Sequence, residues 1–271
     1  MITLTDADFL RIVEYIKKHY GINLEKKRIL VEGRLVNTVT SKGFNSFKAY
    51  LDTILTGESS PELEQFVNKL TTNHTFFMRE PEHFDFMKST VLPYIERTVT
   101  DKDARIWCAA SSTGQEPYTM AMTIDEYFGP RRQGWDLKIL ATDISTKVLA
   151  EAYAGVYTLE MMEGVPREWM EKYFVRTEDG KFRVCDRIRK EIVYKQFNLM
   201  NEIRYKKPYD LISCRNVMIY FDAETKNNLI ERLYDCLKPG GYLFIGHAEN
   251  VSKNTRFEFI QPAIYRRPLG K

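Results

Sequence analysis

Five short stretches of this 271-residue chain gather residue types at spacings that suit chemistry. The first is Ala110-Ser111-Ser112-Thr113-Gly114-Gln115-Glu116-Pro117-Tyr118, a run of small residues leading into a helical pattern. Such a loop lets a ligand approach backbone N–H groups closely. It holds one glycine, so it is neither the G-x-G-x-x-G dinucleotide fingerprint nor a G-K-[ST] phosphate loop. Glu116 stands where a diphosphate would meet the helix N-terminus. A carboxylate there repels phosphate and suits a cation, which favours a sulfonium-bearing cofactor over a nucleotide diphosphate. An ordinary capped helix start uses the same residue types. The second stretch, Ala141-Thr142-Asp143-Ile144-Ser145, ends an apolar run with an acid. An acid at that point can accept hydrogen bonds from both hydroxyls of a ribose, each contributing about 1.5–3 kcal/mol. Alternatively, Asp143 caps the next helix, a role that Ser145 also fits. Third, Arg215 and Asn216 follow another apolar run, with the hydroxyl of Tyr220 four residues on. Fourth, Thr71–Pro81 (TTNHTFFMREP) turns from polar to aromatic to basic. It is either an interhelical loop with Phe76 and Phe77 in the core, or a clamp in which the Arg79 guanidinium grips a carboxylate or cofactor. The fifth, Leu237-Lys238-Pro239-Gly240-Gly241, reads as a structural turn into a strand.

These stretches need a scaffold, and the pattern changes along the chain. The first 60 residues read as helices. Thr5 and Asp8 form an N-terminal cap before Phe9, Ile12, Val13 and Ile16 at helical spacing. A second helix covers Lys26 to Ser41, with Ile29, Leu30, Leu35, Val36 and Val39 on its apolar side, and Gly43 stops it. A third runs from Ser46 to Leu55 with Phe47, Tyr50, Leu51, Ile54 and Leu55 facing inward. After a loop at Thr56–Pro61, Ser59 or Ser60 caps a fourth helix carrying Leu63, Phe66, Val67 and Leu70, with Pro61 in its first turn. Beyond a boundary at Thr98–Asp103, apolar β-rich runs alternate with helices. The strands are expected at Arg105–Ala110, Leu137–Thr142, Tyr209–Cys214 and Tyr242–Gly246. Helices are expected after Glu116, after Ser145 and over Ala223–Leu237. Continuous apolar strands separated by helices mean a mostly parallel sheet covered on both faces. Ligands of such sheets bind beyond the carboxyl ends of the strands. Phe257–Ile260 and Ala263–Arg266 read as a closing hairpin, and residues 155–196 as an insertion with a hairpin around Asp179–Gly180.

Composition removes several classes. With 44% hydrophobic and 28% charged residues, disorder, collagen-like repeats and coiled coil are excluded as the main architecture. Forty Lys/Arg against 37 Asp/Glu leave +3, too mild to imply nucleic acid. No run of 18 apolar residues appears, so no membrane insertion is expected. The start, MITLTDADFL, is acidic and polar where a signal peptide is basic and then apolar; a cytoplasmic protein is expected. Cys108, Cys185, Cys214 and Cys236 form no CxxC pair, and Cys108 and Cys214 read as small buried hydrophobes. The four histidines make no metal-binding pattern, so no metal is expected. One asymmetry stands out: Lys17–Lys48 holds eight Lys/Arg and two acids, a local +6 that leaves −3 for the remainder. It is either a solvated helix face or a docking face for an acidic partner.

Taken together, TNHTFFMRE, AASSTGQEPY followed by ATDIS, and CRNVMIYF with LKPGGYLFIGHAEN resemble the CheR-type chemotaxis receptor (methyl-accepting chemotaxis protein) glutamate O-methyltransferases over nearly the whole chain. The resemblance implies an α/β fold: a Rossmann-like class I S-adenosylmethionine-dependent methyltransferase sheet with a small helical N-terminal domain and a small β-subdomain insertion. On this chain it implies a receptor-docking helical domain over 1–75 and a linker and helix over 76–103. The methyltransferase domain would occupy 104–271, with the insertion at about 160–195. Carried over by position, it implies that Asn73, Thr75 and Arg79 border the cofactor, Arg79 near the transferred methyl. Ala110 and Glu116 match the cofactor loop, Glu116 at the methionyl amino end, and Asp143 matches the ribose-binding acid. Asn198 and Leu199 match an adenine-side pair, Arg215 and Asn216 a fourth-strand contact, and Tyr220 a tyrosine at the reacting centre. Gln115 stands where many members carry a second Glu. The implied reaction moves a methyl from S-adenosylmethionine to receptor glutamates, leaving S-adenosylhomocysteine. The expected partner is the cytoplasmic helical bundle of a chemoreceptor, met by the basic face around Arg28 and Arg34. A monomer that binds no nucleic acid is expected. Three rivals differ in class. A nucleic-acid or small-molecule methyltransferase has no basic-aromatic tract to support it. A non-catalytic cofactor sensor would keep the loop and lose transfer. A nicotinamide dehydrogenase is disfavoured by the single glycine and by Glu116.

Overall fold

The computed structural model describes residues 2–56, 60–252 and 254–270. It divides into two compact units, Met1–Thr72 with Tyr220–Lys226, and Asn73–Ile219 with Asn227–Lys271.

In the first unit, the first, third and fourth helices start where a short polar side chain satisfies a free N–H, whereas the second starts after Lys27 without a side-chain cap. Helix α1 (Asp6–Tyr20) is capped by Thr5, whose hydroxyl accepts from the Asp8 N–H, and it ends at Gly21. Helix α2 spans Arg28–Ser41. Helix α3 (Phe47–Ile54) is capped by Ser46 and helix α4 (Pro61–Leu70) by Ser60, with Pro61 in its first turn. Ser59 lies outside the described residues. The core is built from Ile12, Val13 and Ile16, from Phe47, Tyr50, Leu51 and Ile54, and from Leu63, Phe66, Val67 and Leu70. On α2 the expected apolar face needs correcting. Val31, Leu35 and Val39 are buried, whereas Ile29 is 88% exposed. At about 100° per residue, Ile29 lies about 200° round the helix from Val31 and cannot share its face. Tyr220–Lys226 completes this unit. The Asn23 N–H donates to the Tyr220 carbonyl at 2.7 Å, Ile22 bridges Phe221, and Lys17 pairs with Asp222 at 3.2 Å.

The second unit opens with α5 (Glu82–Phe86) and α6 (Leu92–Thr98), joined by a π turn over Met87–Val91. Pro93 lacks the N–H an α-helix needs at that point, and a local widening to i→i−5 bonding accommodates such a residue. Then follow β1 (Ile106–Ala109), α7 (Gln115–Phe128), β2 (Ile139–Asp143), α8 (Thr146–Ala154) and β3 (Val156–Tyr157). Next come α9 (Arg167–Tyr173), β4 (Phe174–Arg176), β5 (Phe182–Val184), α10 (Asp186–Arg189) and β6 (Ile192–Gln196). The unit ends with β7 (Tyr209–Cys214), α11 (Ala223–Cys236), β8 (Leu237–Phe244), β9 (Glu258–Gln261) and β10 (Ile264–Arg266).

Seven strands form one sheet in the order β6-β2-β1-β7-β8-β10-β9. The first five are mutually parallel, and the last two close the edge as an antiparallel hairpin. Every residue of β1 and β7 is buried, as the continuous apolar runs require. Connections leave β1 in opposite directions, to β2 and β6 on one side and to β7 and β8 on the other, so the switch in strand order lies between β1 and β7. The second sheet, β3-β5-β4, is antiparallel, with the expected hairpin turning at Asp179–Gly180. Main-sheet pairing resumes at Ile192, inside the span expected for the insertion. One further expectation changes. Lys238-Pro239-Gly240-Gly241 is not a turn before the strand but part of β8, where the register against β7 slips between Tyr209 and Leu211. Among the described residues, no helix is long and apolar enough to cross a membrane.

Candidate active site

The carboxyl ends of β1, β2, β7 and β8 carry a connected set of polar groups, all within the second unit. The chain leaves β1 through Ala110 (φ 58°) and Ser112 (φ 49°), both left-handed, and enters α7 at Gly114 (φ 94°). Non-glycine residues in that region cost roughly 1–2 kcal/mol each. A Cβ on Gly114 would sit 2.9 Å from the Ala152 Cβ, so glycine is required there. Asp143 offsets the strain. Its Oδ2 accepts the Ser112 N–H at 2.8 Å and its Oδ1 the Ser145 N–H at 2.9 Å. The carboxylate is 6% exposed; burial pushes its pKa above the ordinary value, against the pull of these N–H groups. The cap of α8 is Ser145, whose hydroxyl accepts from Val148, so Asp143 is left to tie the two loops together. The same loop is joined to the segment before α5, because the Ser112 hydroxyl donates to the Asn73 carbonyl at 2.8 Å.

Arg215, at the end of β7, is the second centre of the site. It is 4% exposed and is ringed by acceptors. One Nη meets Glu116 Oε2 at 3.0 Å; the other meets Glu80 Oε2 at 3.1 Å and donates to the carbonyl of Arg79. The guanidinium lies over the Phe84 ring. Glu116 also accepts from Ser213 (2.5 Å) and from Cys108. The carboxylate read from sequence as an open charge at a helix N-terminus is therefore ion-paired across the sheet ends. Two carboxylates around one guanidinium leave a surplus negative charge.

Glu80 reaches furthest. Its Oε1 accepts from the Asn216 amide at 3.1 Å and from the His247 N–H at 3.2 Å. Burial raises its pKa, but Arg215, Asn216 and His247 together hold the carboxyl below its ordinary value. Arg79 lies between Met78 (φ 58°) and Glu80 (φ 55°), two further left-handed non-glycine residues. Its own side chain donates to the His74 carbonyl at 2.8 Å and stacks over Phe76. Phe77 is buried as expected, while Phe76 is 42% exposed.

Glu249 was not singled out by the sequence reading. Its carboxylate accepts N–H groups from Asn216 (2.9 Å), Met218 (2.7 Å), Ile219 (3.3 Å) and Gly246 (2.6 Å). It thus folds the loop after β7 and holds Asn216 at φ 56°. A Cβ at Gly246 would collide with the Asn216 side chain. Burial pushes the Glu249 pKa up while those four N–H groups pull it down. The signal was present: an acid shortly beyond the end of a parallel strand, the logic that selects Asp143.

The remaining expected residues are spread more widely. Asn198 lies two residues beyond β6, where its Oδ1 accepts from the Met200 N–H. Leu199 is buried, and its carbonyl accepts from Arg232. Thr75 is half-buried. Tyr220, Arg28 and Arg34 belong to the first unit. Both arginines have internal work. Arg28 pairs with Asp6 at 2.6 Å and donates to the Leu4 carbonyl. Arg34 donates to the carbonyls of Leu70 (3.1 Å) and Thr71 (2.9 Å) at the end of α4. Glu80, His83 and His247 bring potential metal donors within 4.8 Å of one another. Because both Glu80 oxygens are committed to Arg215, Asn216 and His247, the trio is better understood as the surroundings of that ion pair.

Residues 73–265 match the family described as CheR methyltransferase, SAM binding domain, which makes this sheet that of an S-adenosylmethionine-dependent methyltransferase. Residues 7–71 match the CheR methyltransferase, all-alpha domain. The chemotaxis protein methyltransferase of Borreliella burgdorferi is 40% identical over 98% of this chain and 96% of its own length. That of Escherichia coli is 37% identical over 97% and 92%, and chemotaxis protein methyltransferase 2 of Vibrio cholerae is 34% identical over 93% and 88%. The chain belongs to the CheR methyltransferase family. The site suits its cofactor on structural grounds. The Ser111 hydroxyl in the β1 loop is buried without a hydrogen-bond partner among the described residues, and the Glu80–Arg215–Glu116 triad has negative charge to spare for a cation.

Proposed function

We propose that this protein methylates glutamate side chains of chemoreceptors in chemotaxis adaptation, working in the cytoplasm as a monomer, with its helical N-terminal unit docked on the receptor's cytoplasmic helical bundle. Bound S-adenosylmethionine supplies an electrophilic methyl that a receptor glutamate takes, releasing S-adenosylhomocysteine. Asp143 would hold the ribose, since each of its oxygens keeps a lone pair beyond its N–H bond. Glu116, with the surplus charge of its triad, would meet the methionyl ammonium. Asn73, Thr75 and Ala110 would border the cofactor, Asn198 and Leu199 its adenine side, and Arg215 and Asn216 would contact it from the end of β7. Arg79 and Tyr220 would orient the reacting groups. A glutamate, with a free pKa of about 4.3, is already ionised near neutrality, so the protein needs no general base. Its contribution is the placement of two reactants.

The observation that carries this reading is the identity with chemotaxis protein methyltransferases over nearly the full length, together with the buried acid at the end of β2. The test is transfer of label from S-adenosylmethionine to a panel of chemoreceptor cytoplasmic fragments, RNA and DNA, followed by mild base. Label on receptor protein that base releases as volatile methanol identifies a carboxyl ester. Label on nucleic acid alone, or tight cofactor binding with no transfer, overturns the reading.

A further inference from the structure

Arg79 is placed by a turn rather than by a helix or strand, and among the described residues its side chain's hydrogen bond and ring contact are both to its own loop, at His74 and Phe76. What joins this turn to the sheet is the next residue. The Glu80 carboxylate binds Arg215 at the end of β7, the Asn216 amide one residue on, and the His247 N–H beyond β8. The Arg79 carbonyl is held by the same Arg215. Both neighbours of Arg79 have positive φ, a conformation that persists only where surroundings enforce it. We infer that Glu80 is a positioning residue for methyl transfer: its carboxylate pins the Met78–Glu80 turn to the ends of β7 and β8 and so fixes where the Arg79 guanidinium stands. Glu80 itself touches neither reactant; it acts through Arg79.

The inference rests on the proposed role of Arg79, and a double-mutant cycle separates the two. Glu80→Gln keeps the shape of the side chain and an acceptor for Asn216 and His247, but it removes the charge that holds Arg215. At saturating cofactor and receptor, kcat is expected to fall between about tenfold and a hundredfold, the scale of an ångström of misplacement. The Kd for S-adenosylmethionine, measured by calorimetry, should rise several-fold with the loss of the triad's surplus charge, which is why the fall in kcat is read at saturation. In an Arg79→Ala background, Glu80→Gln should cost nothing further, because residues acting as one unit are not additive. If Arg79→Ala itself leaves transfer intact, the Arg79 role fails. If Arg79→Ala is impaired but the Glu80→Gln loss multiplies with it, or Glu80→Gln alone keeps the wild-type kcat, the positioning role of Glu80 fails. Should Glu80→Gln lose cofactor binding altogether, Glu80→Asp repeats the cycle with the charge kept and the reach shortened; the same non-additivity is expected, and additivity overturns it.

Discussion

Burying a guanidinium to 4% exposure, as at Arg215, is tolerable because Glu80 and Glu116 flank it at 3.1 and 3.0 Å. Breaking a buried pair leaves uncompensated charge, which typically costs about 3–5 kcal/mol. Arg215→Ala, which strands two carboxylates, is therefore expected to lower unfolding stability by roughly that much, read by urea denaturation. A loss below about 1 kcal/mol would mean that the triad is solvated and weak. Glu80 adds a pH dependence. Its folded pKa lies below the ordinary 4.5, so its ionised form stabilises the fold above that value, and the contribution fades as pH falls through the folded pKa. The stability gap between wild type and Glu80→Gln should be full near neutrality and close below about pH 4.5. A gap that does not change down to about pH 3 would show that the charge is not what matters. These residues also mark where reading stopped at the residue scale. The loops of the site were legible as small-residue runs and as acids after strands. Their partnerships were not, since Glu116 meets Arg215 across 99 positions and Asn216 meets Glu80 across 136.

Among the elements, helix starts and continuous strands were the most legible features. Thr5 and Ser145 cap where their types suggested, Ser60 is the cap of the two serines offered, and Ser46, read as the first helical residue, is the cap of α3, because capping is settled within four residues. The face of α2 was not, because three successive apolar residues, Ile29-Leu30-Val31, leave the choice to packing. The result bears on docking. Arg34 satisfies carbonyls at the end of α4, and hydrogen bonds from a charged group contribute about 1.5–3 kcal/mol. Arg34→Ala is expected to destabilise the helical unit by roughly 1–3 kcal/mol, seen as an earlier loss of helical signal on denaturation. Charge reversal at Arg34 therefore confounds docking with folding. Lys26 and Lys27 are exposed and form no ion pair among the described residues, and they lie beside the uncovered Ile29. Lys26→Glu with Lys27→Glu should leave unfolding unchanged and raise the KM for receptor several-fold. An unchanged KM would move the docking surface elsewhere.

At the scale of the whole molecule, charge is unevenly distributed: +6 over Lys17–Lys48 against −3 for everything else. Surface attraction weakens as the Debye length shrinks. Raising salt from about 0.05 to about 0.3 M should raise the KM for receptor methylation and slow association, while the Kd for S-adenosylmethionine changes little. Equal sensitivity of both would remove the electrostatic docking idea. The alternation of strands and helices made the sheet legible, since each βα unit is local in sequence. Membership of Tyr220–Lys226 in the helical unit was not legible, because nothing near position 220 points to Ile22 or Asn23. That membership has a consequence in time. A ribosome adding roughly 5–20 residues per second releases Thr72 about 8–30 s before Lys226. Over that interval the nascent helical unit lacks the strap that bridges Ile22 and accepts the Asn23 N–H, so these helices, though made before the sheet, cannot be finished until most of the sheet has been made.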